Sequence, residues 1–339
     1  MTDLARYSET KRLLFSYTGM LKTCLVTAIE ASKILRCDVG ERELWRKIVT
    51  NYPQLALHSD GGWWGGPDIP DDHYCHGAHL LYPFFPGESF VDEEGSEIAS
   101  RTVEFIEKYS VDRSFAGADG LWFHRHDWSW FLTNVTKMRL GSERKAFNSL
   151  EEFLRLFGKP NGLFSHNPVV EMEPAVTEAN MKHLPHVKIR KYSGDTEELA
   201  LWLMDGKCST PNRNAKHLIS PVLEGNAAFL FAATEALLQS FGGLIRLFPC
   251  VPPDFTGGFH KLRTHGAFEV SAEMLDGKVV EVSIRAHVAG TIRLLNPWKN
   301  KLPELPSDAK VNYALNGKVI LSRQLKTGSI WQLKLLRKY

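Results

Sequence analysis

The chain reads as an α+β protein with a helical domain over 1–254 and a small antiparallel β domain over 255–339. Three observations predict this. Apolar residues recur at helical spacing through most of the first 157 residues. The stretch Asn226–Phe241 is apolar almost all the way round, broken by Glu235 and Gln239, as in a helix enclosed on both sides within a helical barrel. After Pro253 the apolar period falls to two, the spacing of half-buried strands.

The helices follow in order. Leu13, Tyr17, Leu21, Cys24 and Ala28 step by three and four, with Gly19 the one interior break. A short helix is predicted from Glu41 to Asn51, ended by Pro53. Ile98, Thr102, Phe105 and Tyr109 mark a third. Phe131, Val135 and Met138 mark a fourth, closed by Gly141. Phe147, Leu150, Leu154 and Phe157 mark a fifth, with Gly158 and Pro160 as its stop. In the β domain Phe268, Val270, Ala272 and Met274 alternate with polar residues. Asp276-Gly277 supplies a hairpin turn, and Val280, Val282 and Ile284 resume the alternation. Asn316-Gly317 is a second such turn, and Trp331, Leu333 and Leu335 form the last strand.

Composition narrows the class. The 339 residues, 43% hydrophobic and 24% charged, are ordinary globular material, and this length favours two domains. With 41 basic against 39 acidic residues the net charge is +2, which argues against nucleic acid or an anionic membrane as partner. Five scattered cysteines (Cys24, Cys37, Cys75, Cys208 and Cys250) without a CxxC read as reduced thiols. Together with a charged start that lacks an apolar leader, they set the expectation of a cytoplasmic protein. No apolar run approaches the length of a membrane span. Nine tryptophans suit a large core, and equally the stacking of flat rings on C–H-rich sugar faces.

Three segments carry the side chains of a candidate site. The loop around 60–88 is rich in Gly and Pro and holds Trp63 and Trp64 as stacking faces. It also holds Asp68, Asp71 and Asp72 as carboxylates, with His76 and His79 three apart. Its plain reading is a packed irregular loop with satisfied histidines. A zinc centre needs three or four ligands, and no further motif supplies them, so neither metal nor other cofactor is expected. The second segment places Asp127 as the N-cap of the fourth helix, with Trp128 and Trp130 serving core or ligand. In the third, Glu224 stands before Gly225-Asn226 at the opening of the apolar helix. It either helps cap that helix, where negative charge is favoured, or acts as a catalytic carboxylate at the mouth of a helical barrel. Two carboxylates about 6.5–9.5 Å apart perform inverting glycoside hydrolysis, one as acid and one as base.

In order and rough spacing these segments resemble the catalytic domain of glycoside hydrolase family 95, the inverting α-L-fucosidases and their relatives. His76-x-x-His79-Leu80 followed by Phe85-Pro86-Gly87 is similar to the family's His-x-x-His-Leu…Tyr-Pro-Gly. Trp128-Ser129-Trp130 with Arg139-Leu140-Gly141 is similar to its Gly-Trp-Ser…Ala-Arg-Leu-Gly. Leu223-Glu224-Gly225-Asn226, continuing to Glu235-x-Leu237-Leu238-Gln239-Ser240, is similar to its Ile-Asp-Gly-Asn…Glu-Met-Leu-Leu-Gln-Ser. Gly266-Ala267-Phe268-Glu269-Val270 and Asp276-Gly277 match its C-terminal β domain.

The resemblance implies part of an (α/α)6 barrel followed by a β-sandwich, with a missing upstream region or a partner chain completing the barrel. It further implies a glycosidase that releases a terminal L-fucose-like or L-galactose-like residue from an oligosaccharide. Glu224 occupies the position of the family's catalytic Asp. No Glu precedes Trp63, where the family carries its acid, so Asp72 takes that role here, with Asp68 and Asp71 as alternatives. No counterpart of the family's paired asparagines is found in the chain. Trp63, Trp64, His76, His79, Trp128 and Asn226 become substrate contacts. Two other readings stay open: a carbohydrate-binding remnant without the chemistry, and a phosphorylase on a related helical barrel.

Overall fold

The computed structural model describes residues 2–63, 77–111, 127–141, 143–158, 162–164, 223–298, 301–314 and 317–335. The chain is α+β and divides into two compact units. One comprises Met1–Leu140 and Glu151–Phe229, the other Gly141–Leu150 and Leu230–Tyr339.

Six α-helices lie among the described residues: α1 (Thr2–Leu35), α2 (Val39–Thr50), α3 (Glu93–Val111), α4 (Asp127–Arg139), α5 (Glu143–Phe157) and α6 (Leu223–Leu237). Helices α5 and α6 each begin in one unit and end in the other. None of the helices is long and apolar enough to cross a membrane.

The α1–α2 corner shows how a helix end is closed. The last carbonyls of a helix lack internal partners, and here the Arg42 guanidinium serves one of them and the chain just beyond. It donates to Ser32 Oγ at 2.8 Å, to the Ser32 carbonyl at 3.0 Å and to the Cys37 carbonyl at 2.9 Å. The interior Gly19 of α1 has a packing reason. A Cβ at that position would stand 2.8 Å from the Pro83 ring, so the usual helix cost of glycine, about 1 kcal/mol, is accepted for a close approach.

Helix α6 differs from its sequence expectation. It ends at Leu237, and Leu238 and Gln239 continue as a short strand. Nor is it enclosed all round. Gly225, Ala228, Ala232, Glu235 and Ala236 make its buried stripe, whereas Leu223, Leu230 and Phe231 are exposed at 82%, 67% and 40%. Small residues at i, i+3 and i+7 let one face approach its neighbours closely, which leaves the large apolar residues on the opposite face.

The strands are β1 (Leu238–Gln239), β2 (Arg246–Leu247), β3 (Gly257–Thr264), β4 (Phe268–Leu275), β5 (Lys278–Ala286), β6 (Gly290–Leu295), β7 (Lys310–Tyr313), β8 (Val319–Leu325) and β9 (Ile330–Lys334). They form antiparallel sheets of order β1-β2, β3-β4-β5-β9 and β6-β8-β7. A single hydrophobic cluster draws on both larger sheets. Val270, Val282, Ile284, Trp331 and Leu333 come from one, Ile292, Leu294, Leu321 and Leu325 from the other. Trp298 Nε1 donates to the Val279 carbonyl at 2.7 Å, tying the turn after β6 to β5.

The alternation read from sequence holds for Phe268, Val270 and Ala272 and for Val282 and Ile284, all buried. It fails at Val280. Glu273 pairs with Glu281 while Met274 pairs with Val279, so Val280 is the extra residue of a β-bulge. Val279 turns inward at 5% exposure and Val280 outward at 36%.

The β4–β5 hairpin turns through Asp276 (φ 47°) and Gly277 (φ 69°), both left-handed, as a type I′ turn demands. The turn is also docked: Gly277 N–H donates to the Phe255 carbonyl and Asp276 N–H to Thr256 Oγ1, both at 2.9 Å. A Cβ on residue 277 would sit 1.7 Å from the Pro253 carbonyl oxygen. Gly277→Ala is therefore expected to destabilise the β unit by about 2 kcal/mol or more, from the left-handed penalty plus the clash. Thermal unfolding followed by near-ultraviolet circular dichroism checks this. A midpoint unchanged from the parent would show that the turn relaxes freely.

Candidate functional site

The loop carrying Trp63 is built on α3. Leu57 and Trp63 form an antiparallel bridge around a turn, and the His58 N–H donates to the Gly62 carbonyl at 2.8 Å. Trp63 N–H donates to Thr102 Oγ1 at 2.8 Å, and that hydroxyl passes its own hydrogen to the Ile98 carbonyl at 2.7 Å. The Arg101 guanidinium donates to the Asp60 carbonyl at 3.1 Å. Trp63 is 2% exposed and meets Phe90 edge-on at 6.0 Å. A ring so enclosed packs the loop onto the helix and offers no free face for a sugar.

Sequence reasoning missed one feature of this turn. His58 Nδ1 stands 3.0 Å from Asp60 Oδ2, and the imidazole tilts against Phe105 at 4.8 Å. The signal was present as a His and an Asp two apart, immediately before the Gly-Gly-Trp-Trp run.

Downstream, a 3-10 turn at Gly77–Leu81 carries His79 and Leu80. Leu80 and Leu81 are buried, and Leu81 clusters with Val103 and Ile106 of α3 and with Leu140. His79 is half-buried and meets Tyr82 edge-on at 5.0 Å. Beyond it Glu88 takes a left-handed conformation (φ 54°) and accepts a hydrogen bond from Arg139 Nη1 at 2.8 Å. The Arg139 side chain is only 4% exposed and lies 4.6 Å over the Phe85 ring, which in turn meets Phe131 of α4. Two of the sequence segments are thus joined: Phe85-Pro86-Gly87 is held to Arg139-Leu140-Gly141 through Glu88.

Glu224 lies in the first turn of α6 and is exposed; Asn226 is half-buried. An aromatic cluster anchors this end of the helix. Phe229 stacks on Phe164 at 4.8 Å and on Phe153 at 5.9 Å, and Phe153 meets Trp130 at 4.5 Å. That cluster places Trp130 in the core. No hydrogen bond or ion pair among the described residues joins Glu224 to Trp63.

Trp64, Asp68, Asp71, Asp72 and His76 lie outside the described residues, as do Cys75 and Cys208 and the side chains of Asp127 and Trp128. The backbone of α4 begins at Asp127. The described cysteines Cys24, Cys37 and Cys250 are not in disulfides. Among the described residues no three His, Cys, Asp or Glu gather as a metal site would need. No family model and no curated protein matches the chain.

Proposed function

We propose that the chain is an inverting glycoside hydrolase of the family 95 kind, releasing a terminal L-fucose-like or L-galactose-like residue from an oligosaccharide. The observation that carries this reading is Glu224 itself. It is a solvent-accessible carboxylate in the first turn of a helix whose opening Leu-Glu-Gly-Asn and continuing Glu-x-Leu-Leu-Gln-Ser resemble that family's catalytic segment. In this reading Glu224 takes a proton from water, which attacks the anomeric carbon from the face opposite the leaving group. Asp72 gives a proton to the departing glycosidic oxygen.

Trp64, His76, His79, Trp128 and Asn226 contact the sugar, and Trp63 anchors the loop on α3. The finer architecture proposed is part of an (α/α)6 barrel with a C-terminal β-sandwich, completed by an upstream region or a second chain, in a cytoplasmic setting. The joining of the 85–88 and 139–141 segments through Glu88 and Arg139 supports it, because the resemblance runs through both.

A second reading, a sugar-binding remnant without hydrolysis, is favoured by one pair of facts: Trp63 is enclosed, and no Glu precedes it where the family carries its acid.

Turnover of an aryl α-L-fucoside, with an aryl β-galactoside as control, separates the two. Hydrolysis of the fucoside is the expected result. Asp72→Asn should slow an unactivated fucosyl disaccharide more than the aryl substrate, whose leaving group needs little protonation, with general-acid help worth about 10²–10⁴-fold. Saccharide binding without turnover of any glycoside would establish the remnant, and absence of both would end the carbohydrate reading of this site.

A further inference from the structure

The outer face of the β3–β4–β5 sheet carries a groove of about 700 Å³. That volume lies within the roughly 300–1,000 Å³ typical of small-molecule sites. Irregularities in two ladders shape it. One is the Val280 bulge between β4 and β5. The other is a register shift between β3 and β4 at Phe259–Leu262, where Lys261 takes φ 58°. Bulges of this kind re-aim side chains and recur beside functional sites.

Across the floor, Gly258, Glu273, Glu281 and Lys334 form one row of neighbours on β3, β4, β5 and β9. Like charges directly opposite on adjacent strands are destabilising, yet Glu273 faces Glu281. Lys334 neutralises Glu281 at 2.9 Å. Glu273 is exposed and has no ion-pair partner among the described residues. The row is thus compensated at Glu281 and keeps at Glu273 a carboxylate whose charge is open to a ligand, the kind of local exception expected at a functional position.

The next row is Ser271 opposite Ser283. Ser271 Oγ accepts the Lys261 N–H at 3.0 Å, so its own hydrogen remains to be donated outward. His260 adds a group that can both donate and accept, and Leu275 and Val280 add exposed apolar surface at 50% and 36%.

We infer that this groove binds a neutral oligosaccharide, apart from any chemistry at Glu224. Two carboxylates against one ammonium repel sulfated or uronic sugars. A simple cation would use the carboxylates and leave the serine and histidine donors idle. A polyol uses both kinds of group. Vicinal hydroxyls donate to the Glu273 carboxylate, ring and hydroxyl oxygens accept from Ser271, Ser283 and His260, and a C–H face lies on Val280 and Leu275.

The test titrates the full chain with cellobiose and lactose, which carry no fucose, with galacturonic acid and putrescine as acidic and cationic controls. Cellobiose or lactose should bind in preference to both controls. Glu273→Gln, His260→Ala and Ser283→Val, all at non-core positions, should each raise its Kd about 10-fold or more, the scale of a lost hydrogen bond to a charged or well-placed group. The same three variants should turn over aryl α-L-fucoside like the parent, and Glu224→Gln should leave the disaccharide affinity unchanged, so the groove and the Glu224 reading fail separately. Tighter binding of putrescine or galacturonic acid overturns the inference. So does disaccharide binding that all three folded variants retain, or the absence of any disaccharide binding.

Discussion

On the proposed mechanism, Glu224→Gln is expected to leave the fold intact and to remove hydrolysis, lowering turnover by about 10²–10⁴-fold. The amide keeps the shape of the carboxylate but cannot accept a proton from the attacking water. Because Glu224 is exposed in the first turn of α6, the substitution disturbs no buried contact, and the unfolding midpoint should stay near that of the parent. The informative contrast is with Glu235 on the same helix, which is 6% exposed. Glu235→Gln should act through stability rather than through the chemical step. Fucoside hydrolysis that survives Glu224→Gln undiminished removes this residue from the mechanism, whatever the substrate proves to be.

The second large effect is structural. Arg139→Ala should cost about 3 kcal/mol, the lower end of the roughly 3–5 kcal/mol range for breaking a buried ion pair. The lower end applies because the Glu88 side chain keeps 21% exposure and can recover some water, while Arg139 at 4% cannot. The loss has two parts. Glu88, held in the left-handed region, loses the guanidinium whose hydrogen bond it accepts, and Phe85 loses the guanidinium above its ring. Replacing both partners, as in Arg139→Met with Glu88→Leu, should cost less than Arg139→Ala alone, since neither charge of the pair then stays behind without the other. Urea unfolding of the three proteins measures this. A double variant less stable than the single one would show that the pair contributes more than its mutual neutralisation.

Period and turn chemistry made the β unit legible before any coordinates. A sheet with one buried face must alternate, and Asp276-Gly277 is a residue pair that tolerates two left-handed conformations in succession. Val280 was misread for a related reason. A bulge adds one residue to one strand, and nothing in the local run of Lys-Val-Val-Glu-Val says which valine is the extra one. Pairings distant in sequence were not legible. Glu88 and Arg139 stand 51 positions apart, and a surface-looking Glu after Pro-Gly gives no sign of a buried partner. Trp63 illustrates the same limit, since an exposed stacking ring and a packed one have identical sequence. Contacts such as the hydrogen bond to Thr102, 39 positions away, fix the loop on α3.

The division of the chain has a consequence for how the protein is made. The segment Gly141–Leu150 belongs to the β unit, and its Phe147 meets Phe255 at 6.4 Å. At ribosomal speeds of about 5–20 residues per second, Phe147 leaves the exit tunnel roughly 5–20 s before Phe255, since about a hundred residues separate them. During that interval Phe147 on its helix segment waits without its partner, in the kind of state that chaperones bind. The β unit therefore cannot complete itself as a late, independent module.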